Sequence, residues 1–289
     1  MINRLLIIVA CTCLWACAAT TDSQPPIVHS SYVPEGYRLV WNDEFESDGK
    51  ALPDTTQWYY ETGGGGWGNN ELQYYLPACN SNDTVAFTQN GCLAIQTVLL
   101  KQPIDGYKYA SARMNTRQAW KYGYFEGRMK LPIGIGTWPA FWMLPQDFEQ
   151  WPLDGEMDIM EHVGSHPDTV HVTMHMEEYN HMKGTQKTSV NFVKGVQSEF
   201  HIYALEWTPN YIHGYIDGKQ CFTFANDQKG DKKTWPFNVP FLIKLNMAIG
   251  GTLGGKLGVD DSCFPAQFEI DYISCLLYTS PSPRDRSLS

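Results

Sequence analysis

The chain reads as an all-β sandwich or barrel, and three observations point there. HIYALEW (His201–Trp207) sets Tyr203, Leu205 and Trp207 against polar or small neighbours, the period-two pattern of a strand with one buried face. YIHGYIDGKQCFTF holds Asp217 and Gly218 between two strand-like runs, a tight-hairpin signal of the Asp-Gly type. LAIQTVLL (Leu93–Leu100) and FLIKLNMAIG (Phe241–Gly250) read as largely buried strands, while no segment carries a sustained helical period and no internal repeat is apparent.

From the N-terminus, residues 1–17 read as a signal peptide. Arg4 precedes an apolar run from Leu5 to Val9 that extends with small and aromatic residues to Ala16, too short to span a bilayer. Leu14, Trp15, Ala16 and Cys17 resemble a bacterial lipobox, so Cys17 is the expected lipidation site and the expected route to a membrane. Ordinary cleavage after Ala18, giving a secreted protein, is the alternative. Residues 18–34, rich in Thr, Ser and Pro, read as a flexible tether. Residues 35–273 are long enough for one large β domain with a substantial core. Residues 274–289 resemble translated sequencing-adapter sequence and are expected to be no native part of the protein, although their Ser, Pro and Arg content also permits a disordered tail.

Composition narrows the partner. A net charge of -10 argues against nucleic acid or an anionic membrane surface, both of which favour a basic patch, and 10 Trp with 16 Tyr suit a neutral ligand. Past the leader and before the tail stand Cys79, Cys92, Cys221 and Cys263, with no CxxC pair and no finger spacing. Exported proteins can form disulfides, but no pairing can be read from these positions.

The most informative segment is GEMDIMEHVG (Gly155–Gly164). Glu156, Asp158 and Glu161 interrupt a run in which Met157, Ile159, Met160 and Val163 mark a buried strand, where an unpaired carboxylate is costly. They therefore need a cleft. Strand parity puts Glu156 and Asp158 on one face and Glu161 on the other, and a β-bulge after Asp158 corrects it. The two glutamate Cα atoms then lie about 13 Å apart. With side chains leaning inward, their carboxyls approach the ~5–5.5 Å that retaining glycosidases use. Two other readings compete: a solvated acidic face, disfavoured by the apolar interleaving, and a metal site with His162 or the pair His171 and His175. A strand through HVTMH, favoured by Val172 and Thr173, removes the helical spacing that a zinc pair needs.

GEMDIMEHVG resembles the bulged signature of glycoside hydrolase family sixteen. GGGGWGNNELQYY (Gly63–Tyr75), YASARMNT (Tyr109–Thr116), YGYFEGRMKLP (Tyr122–Pro132), GTWPAFWMLP (Gly136–Pro145) and VHVTMHMEEYNH (Val170–His181) resemble, in order, segments of its bacterial laminarinases. The resemblance runs from about Tyr37 to Ile273 and implies a concanavalin-like jelly-roll of two curved antiparallel sheets with a concave cleft. It implies Glu156 as nucleophile, Asp158 as its helper and Glu161 as general acid/base, with no cofactor for catalysis. Trp67, Trp138 and Trp142 are then expected as sugar platforms, Asn69 and Arg113 as hydrogen-bonding groups, and His175 as a cleft residue. Trp41, Trp58 and Trp207 read as core. Leu253 stands where laminarinases often carry a tryptophan. Glu44, Gly91 and Asp271 match places where family members hold a structural calcium. The implied activity is endo-hydrolysis of β-1,3-glucan, with mixed-linkage glucan as a further substrate. Agarose, lichenan or a purely carbohydrate-binding role are the alternatives.

Overall fold

The computed structural model describes residues 30–279; the leader with Cys17, most of the tether and residues 280–289 lie outside the described residues. Seventeen strands occur among them. The first nine are β1 (Tyr37–Asp43), β2 (Trp58–Tyr60), β3 (Gln73–Tyr75), β4 (Ala86–Gln89), β5 (Cys92–Ile104), β6 (Tyr107–Ser111), β7 (Arg113–Trp120), β8 (Gly123–Lys130) and β9 (Thr137–Pro145). There follow β10 (Glu156–His162), β11 (Thr169–His175), β12 (Lys187–Phe192), β13 (His201–Trp207), β14 (Tyr211–Ile216), β15 (Lys219–Ala225), β16 (Phe241–Ile249) and β17 (Ala266–Tyr278). Helix is confined to α1 (Gly251–Gly254) and two 3-10 turns. No described helix is long and apolar enough to cross a membrane.

Two sheets result. One orders β15-β14-β13-β8-β17-β5-β6-β3, with β1 paired to β17 and β4 to β5; the other orders β12-β11-β10-β9-β16-β7-β2. The expected antiparallel pairing holds throughout both sheets except that β3 and β6 run parallel. The chain between them passes through β4 and β5, the long crossover that a parallel pair requires.

The expected strands fall where the pattern put them. HIYALEW is β13, and the hairpin of β14 and β15 turns at Asp217 (φ 48°) and Gly218 (φ 73°). Both turn residues are left-handed, as a turn matching the strand twist demands. In β16 all nine residues are buried. Between the sheets Trp207 of β13 meets Phe241 of β16 edge-on at 5.2 Å, and Phe125, Phe141, Met143, Ile243 and Phe268 are wholly buried around them. Each such side chain contributes about 1.5–3 kcal/mol by leaving water. Trp41, Trp58 and Trp207 are core residues, as expected.

The boundary expected at Ser274 falls inside a strand. β17 runs on to Tyr278, pairing Ser274 with Asn42, Cys275 with Trp41 and Leu276 with Leu39, and Ser274, Cys275 and Leu276 are buried. An apolar Cys-Leu-Leu run beside open edges of β1 and β8 completes the ladder, whatever follows it. Cys79, Cys92, Cys221, Cys263 and Cys275 are free thiols.

Candidate active site

Strand β10 carries the three acids, and its pairing contains the bulge. Against β11, Glu156 lies opposite His175 and Asp158 opposite Thr173, after which the register slips so that Glu161 meets His171. Against β9, Asp158 meets Trp142 and Glu161 meets Ala140, with a slip between Asp158 and Met160. The irregularity turns Met157, Ile159 and Met160 into the core, all fully buried, and brings Glu156, Asp158 and Glu161 to one cleft of 540 Å³. Pairing of β9 with β10 ends at Ala140; the preceding residue, Pro139, has no N–H to give.

Two rows of residues cross the sheet beside the acids. One is Asp158, Trp142, Lys244 and Asn115; the other is Glu161, Ala140, Asn246 and Arg113. The Arg113 guanidinium lies 4.7 Å from the Trp142 ring and 4.7 Å from the Trp67 ring, while Lys244 Nζ lies 5.3 Å from Trp142. Arg113 Nε donates to Glu61 Oε2, and Lys244 Nζ donates to the same oxygen at 2.9 Å. Trp142 Nε1 donates to Asn246 Oδ1 at 2.7 Å, and Asn246 Nδ2 donates to the Tyr75 hydroxyl at 3.0 Å. That hydroxyl donates to Glu71 Oε2 at 3.2 Å, and Asn69 Nδ2 donates to Glu71 Oε1 at 3.3 Å. The floor is thus a connected polar network under an aromatic lining.

All nine expected cleft residues line this depression or its adjoining 400 Å³ lobe, where His175 lies with Leu253. The tryptophans differ from the expectation of open platforms. Trp138 and Trp142 are each only 8% exposed: Trp142 lies between Asp158 of β10 and Lys244 of β16, while Trp138 pairs with Ala248 of β16 and lies close to Gly251 and Gly254 of α1. Trp138 also has a second task, donating Nε1–H to Glu161 Oε1 at 3.0 Å. Trp67 sits in the 3-10 turn Gly66–Gly68 with φ 49°, and the left-handed glycines flanking it make that turn possible. Sequence reading missed Glu61, Glu71, Lys244, Trp151 and His181. Trp151 and His181, whose rings lie 4.8 Å apart, form the wall beside Glu156.

Burial dominates the electrostatics. It pushes Glu156 up to about 8, with repulsion from Glu161 adding and Arg113, Lys244 and a hydrogen bond from Trp151 opposing. Glu161 rises to about 7 through burial, opposed by the Trp138 hydrogen bond. Asp158 is driven well above the carboxylate range by burial, then by Glu156 and Glu161. The three acids share protons as a set. His175 is pushed down to about 3 by burial and by His181, so it is neutral, with Nε2 3.5 Å from Asp158 Oδ2 and 3.9 Å from Glu156 Oε1.

Glu156, Asp158 and His175 place one donor atom each within 4.8 Å of one another, the group among the described residues with cation-holding geometry. His162 takes no part in it: its Nδ1 bonds Thr169 O at 2.8 Å, and His171 pairs with Glu161 across the strands. At the calcium-matching positions, Glu44 is raised by burial and feels the carboxylates of Asp271, Asp43 and Glu46, while a Cβ on Gly91 would lie 3.3 Å from Glu46 Oε1. Such an oxygen-rich, negative patch suits a hard cation, although Arg128 Nη1 already donates to Asp271 Oδ2.

The family model "Glycosyl hydrolases family 16" matches residues 75–274. The β-glucanase of Rhodothermus marinus is 46% identical over 247 residues, covering 82% of this chain and 84% of that one. The crystal structure of the laminarinase from Rhodothermus marinus superposes with a TM-score of 0.79 at 44% identity, covering 84% of this chain and 98% of that one. A non-specific endo-β-1,3(4)-glucanase with 1,3-β-D-cellobiosyl-glucose at its active site gives 0.79 at 40% identity, covering 85% and 96%. With the fold, the bulged acids and these likenesses in agreement, the chain belongs to glycosyl hydrolase family 16.

Proposed function

We propose that this protein is an exported, endo-acting, retaining hydrolase of β-1,3-glucan that tolerates mixed β-1,3/1,4 linkages. The observation that carries the reading is the bulge between Asp158 and Glu161, which gathers three carboxyls in one cleft, Asp158 buried and the two glutamates half-buried. Glu156 attacks the anomeric carbon while Glu161 protonates the departing glycosidic oxygen; water activated by Glu161 then breaks the glycosyl-ester bond and restores Glu156. Asp158, protonated by its burial and flanked by neutral His175, offers a proton-bearing neighbour to the Glu156 carboxylate. The Trp67, Trp138 and Trp142 indoles supply apolar surface for sugar faces, and Asn69 with Arg113 borders them.

No organic cofactor takes part. A calcium held near Glu44, Gly91 and Asp271 would stabilise the sandwich and stand apart from the chemistry. A lipid at Cys17 would hold the enzyme at a membrane surface; labelling that Cys17→Ser leaves intact would remove the anchor from the proposal. A purely binding protein has no use for carboxyls held above their usual range, which favours the enzyme.

The decisive assay is reducing-end release from laminarin, lichenan and agarose, with release from laminarin expected to lead. Glu156→Ala should lose it and, with azide, yield an α-glycosyl azide. A β-azide would exchange the two glutamate roles, and release from agarose alone would overturn the substrate.

A further inference from the structure

Hydrolysis uses the three acids of β10, yet a buried imidazole stands against two of them and takes no step in it. Glu156 and Asp158, two residues apart on one strand, share a face, and His175 on β11 is the cross-strand partner of Glu156. The three side chains form a triangle held by paired backbone rather than by loops.

Two polar atoms of this triangle are left over. Asp158 Oδ2 and His175 Nδ1 are buried without a hydrogen-bond partner among the described residues, and the two residues are 4% and 6% exposed. Asp158 Oδ2 is the oxygen that faces His175 Nε2, at 3.5 Å, and Glu156 Oε1 lies 3.9 Å from the same nitrogen. Both separations are longer than a good hydrogen bond. They match ligands around an ion: a tetrahedral site with bonds of about 2.1 Å sets its ligand atoms about 3.4 Å apart.

Charge and donor type narrow the ion. Arg113 and Lys244 beside the acids are matched by Glu61, which both engage, and by Glu71, whose carboxyl Arg113 attracts, so no surplus positive charge stands against a cation. Calcium and magnesium ask for full shells of oxygen, whereas zinc accepts one imidazole with carboxylates and keeps a fourth position for water. Glu156 and Asp158 line the 540 Å³ depression and His175 the 400 Å³ lobe beside it, so the triangle stands at their junction, where that water has room.

We propose that Glu156, Asp158 and His175 form a binding site for a zinc-class divalent cation, and that an ion held there takes Glu156 out of service as nucleophile. Binding rests on the triangle alone; the block on turnover rests on the hydrolase reading. The ion draws on the Glu156 Oε1 lone pair that would attack the sugar, so hydrolysis stops while the ion is bound and resumes when it is chelated.

The probe is cobalt(II), a coloured substitute for zinc, titrated into the full chain after chelator treatment, alongside reducing-end release from laminarin at buffered free zinc. One cobalt ion per chain should give a visible absorption band without a thiolate charge-transfer band. Zinc should bleach it over the concentration range in which hydrolysis is lost. Chelation should restore the rate, and calcium or magnesium at the same concentration should neither bleach nor inhibit. His175→Ala and Asp158→Asn should each weaken cobalt binding at least about tenfold, the least that disturbing even a ligand's outer partner costs. Zinc inhibition, scored against each variant's own zinc-free rate, should weaken equally, and either variant serves if the other fails to fold. A cobalt spectrum and affinity unchanged in both, a thiolate band placing the ion at a cysteine, or a rate indifferent to zinc while cobalt is displaced overturns the proposal. Absence of laminarin hydrolysis by the metal-free protein would sink the hydrolase reading instead and leave the cobalt titration to judge the site.

Discussion

Replacing Glu156 by glutamine should stabilise the fold, by an amount that grows as pH rises above about 4.5 and is complete at alkaline pH. Glutamine keeps the size of the side chain and removes the charge that burial penalises. The folded carboxyl binds its proton more tightly than the unfolded one, so its contribution is fully present below the ordinary value of 4.5 and is lost as pH rises through about 8. At about 1.4 kcal/mol per pH unit that interval corresponds to at most ~5 kcal/mol. The side chain is 17% exposed and shares protons with Asp158 and Glu161, which reduces the expected gain to about 2 kcal/mol. For a domain of this size each kcal/mol moves Tm by about 2–4 °C, so calorimetry at pH 8.5 should show a rise of about 4–8 °C. At pH 4, where both proteins are neutral at this position, the melting temperatures should coincide. Equal melting temperatures at pH 8.5, or a drop there, would refute the claim that Glu156 is held against the cost of desolvation.

Proton NMR of the first-formed laminarin product should show the β-anomer before mutarotation; an initial α-anomer would mean inversion. Trp142→Ala should cost about 3–5 kcal/mol of stability as well as affinity, because the ring is packed between two cations and bonded to Asn246. Trp67→Ala, on a partly exposed turn, should weaken laminarin-oligosaccharide binding with Tm moving by less than about 3 °C, and the reverse ranking would reassign the two rings. Calcium added after chelation should raise Tm while leaving the pH profile of hydrolysis unchanged; a shifted profile would place the ion at the acids instead.

Much of this architecture was legible because it is written in short-range periodicity. The Asp217-Gly218 hairpin and the alternation of β13 depend on neighbours in the chain, and the bulge in β10 followed from parity alone, since three acids in a buried strand must reach one face. What escaped depends on pairing across the sheet. Glu61 and Lys244 are 183 positions apart and meet because β7 lies between β16 and β2, the strand that Glu61 follows. A signal was present for one of them, a single lysine inside FLIKLNMAI, where a charge with no local partner must have a distant one. The burial of Trp138 and Trp142 was hidden for a similar reason: their spacing gives a shared face but says nothing of how many strands flank it. At the other end, Ser274–Tyr278 carried too little pattern to be recognised as strand without its partners β1 and β8.

The place of β17 governs when the molecule can fold. It lies between β8 and β5 in its sheet and also receives β1, yet these partners precede it by well over a hundred residues. While a ribosome still holds residues 266–278, β1 and β5 have been made but their shared partner has not, and the two halves of that sheet have nothing to join them. Folding of the sandwich must therefore wait until synthesis has passed Tyr278, and closure of such distant pairings makes it slow once it begins. A chain with that schedule stays unfolded through most of its synthesis, its early strands waiting on a partner still to be made.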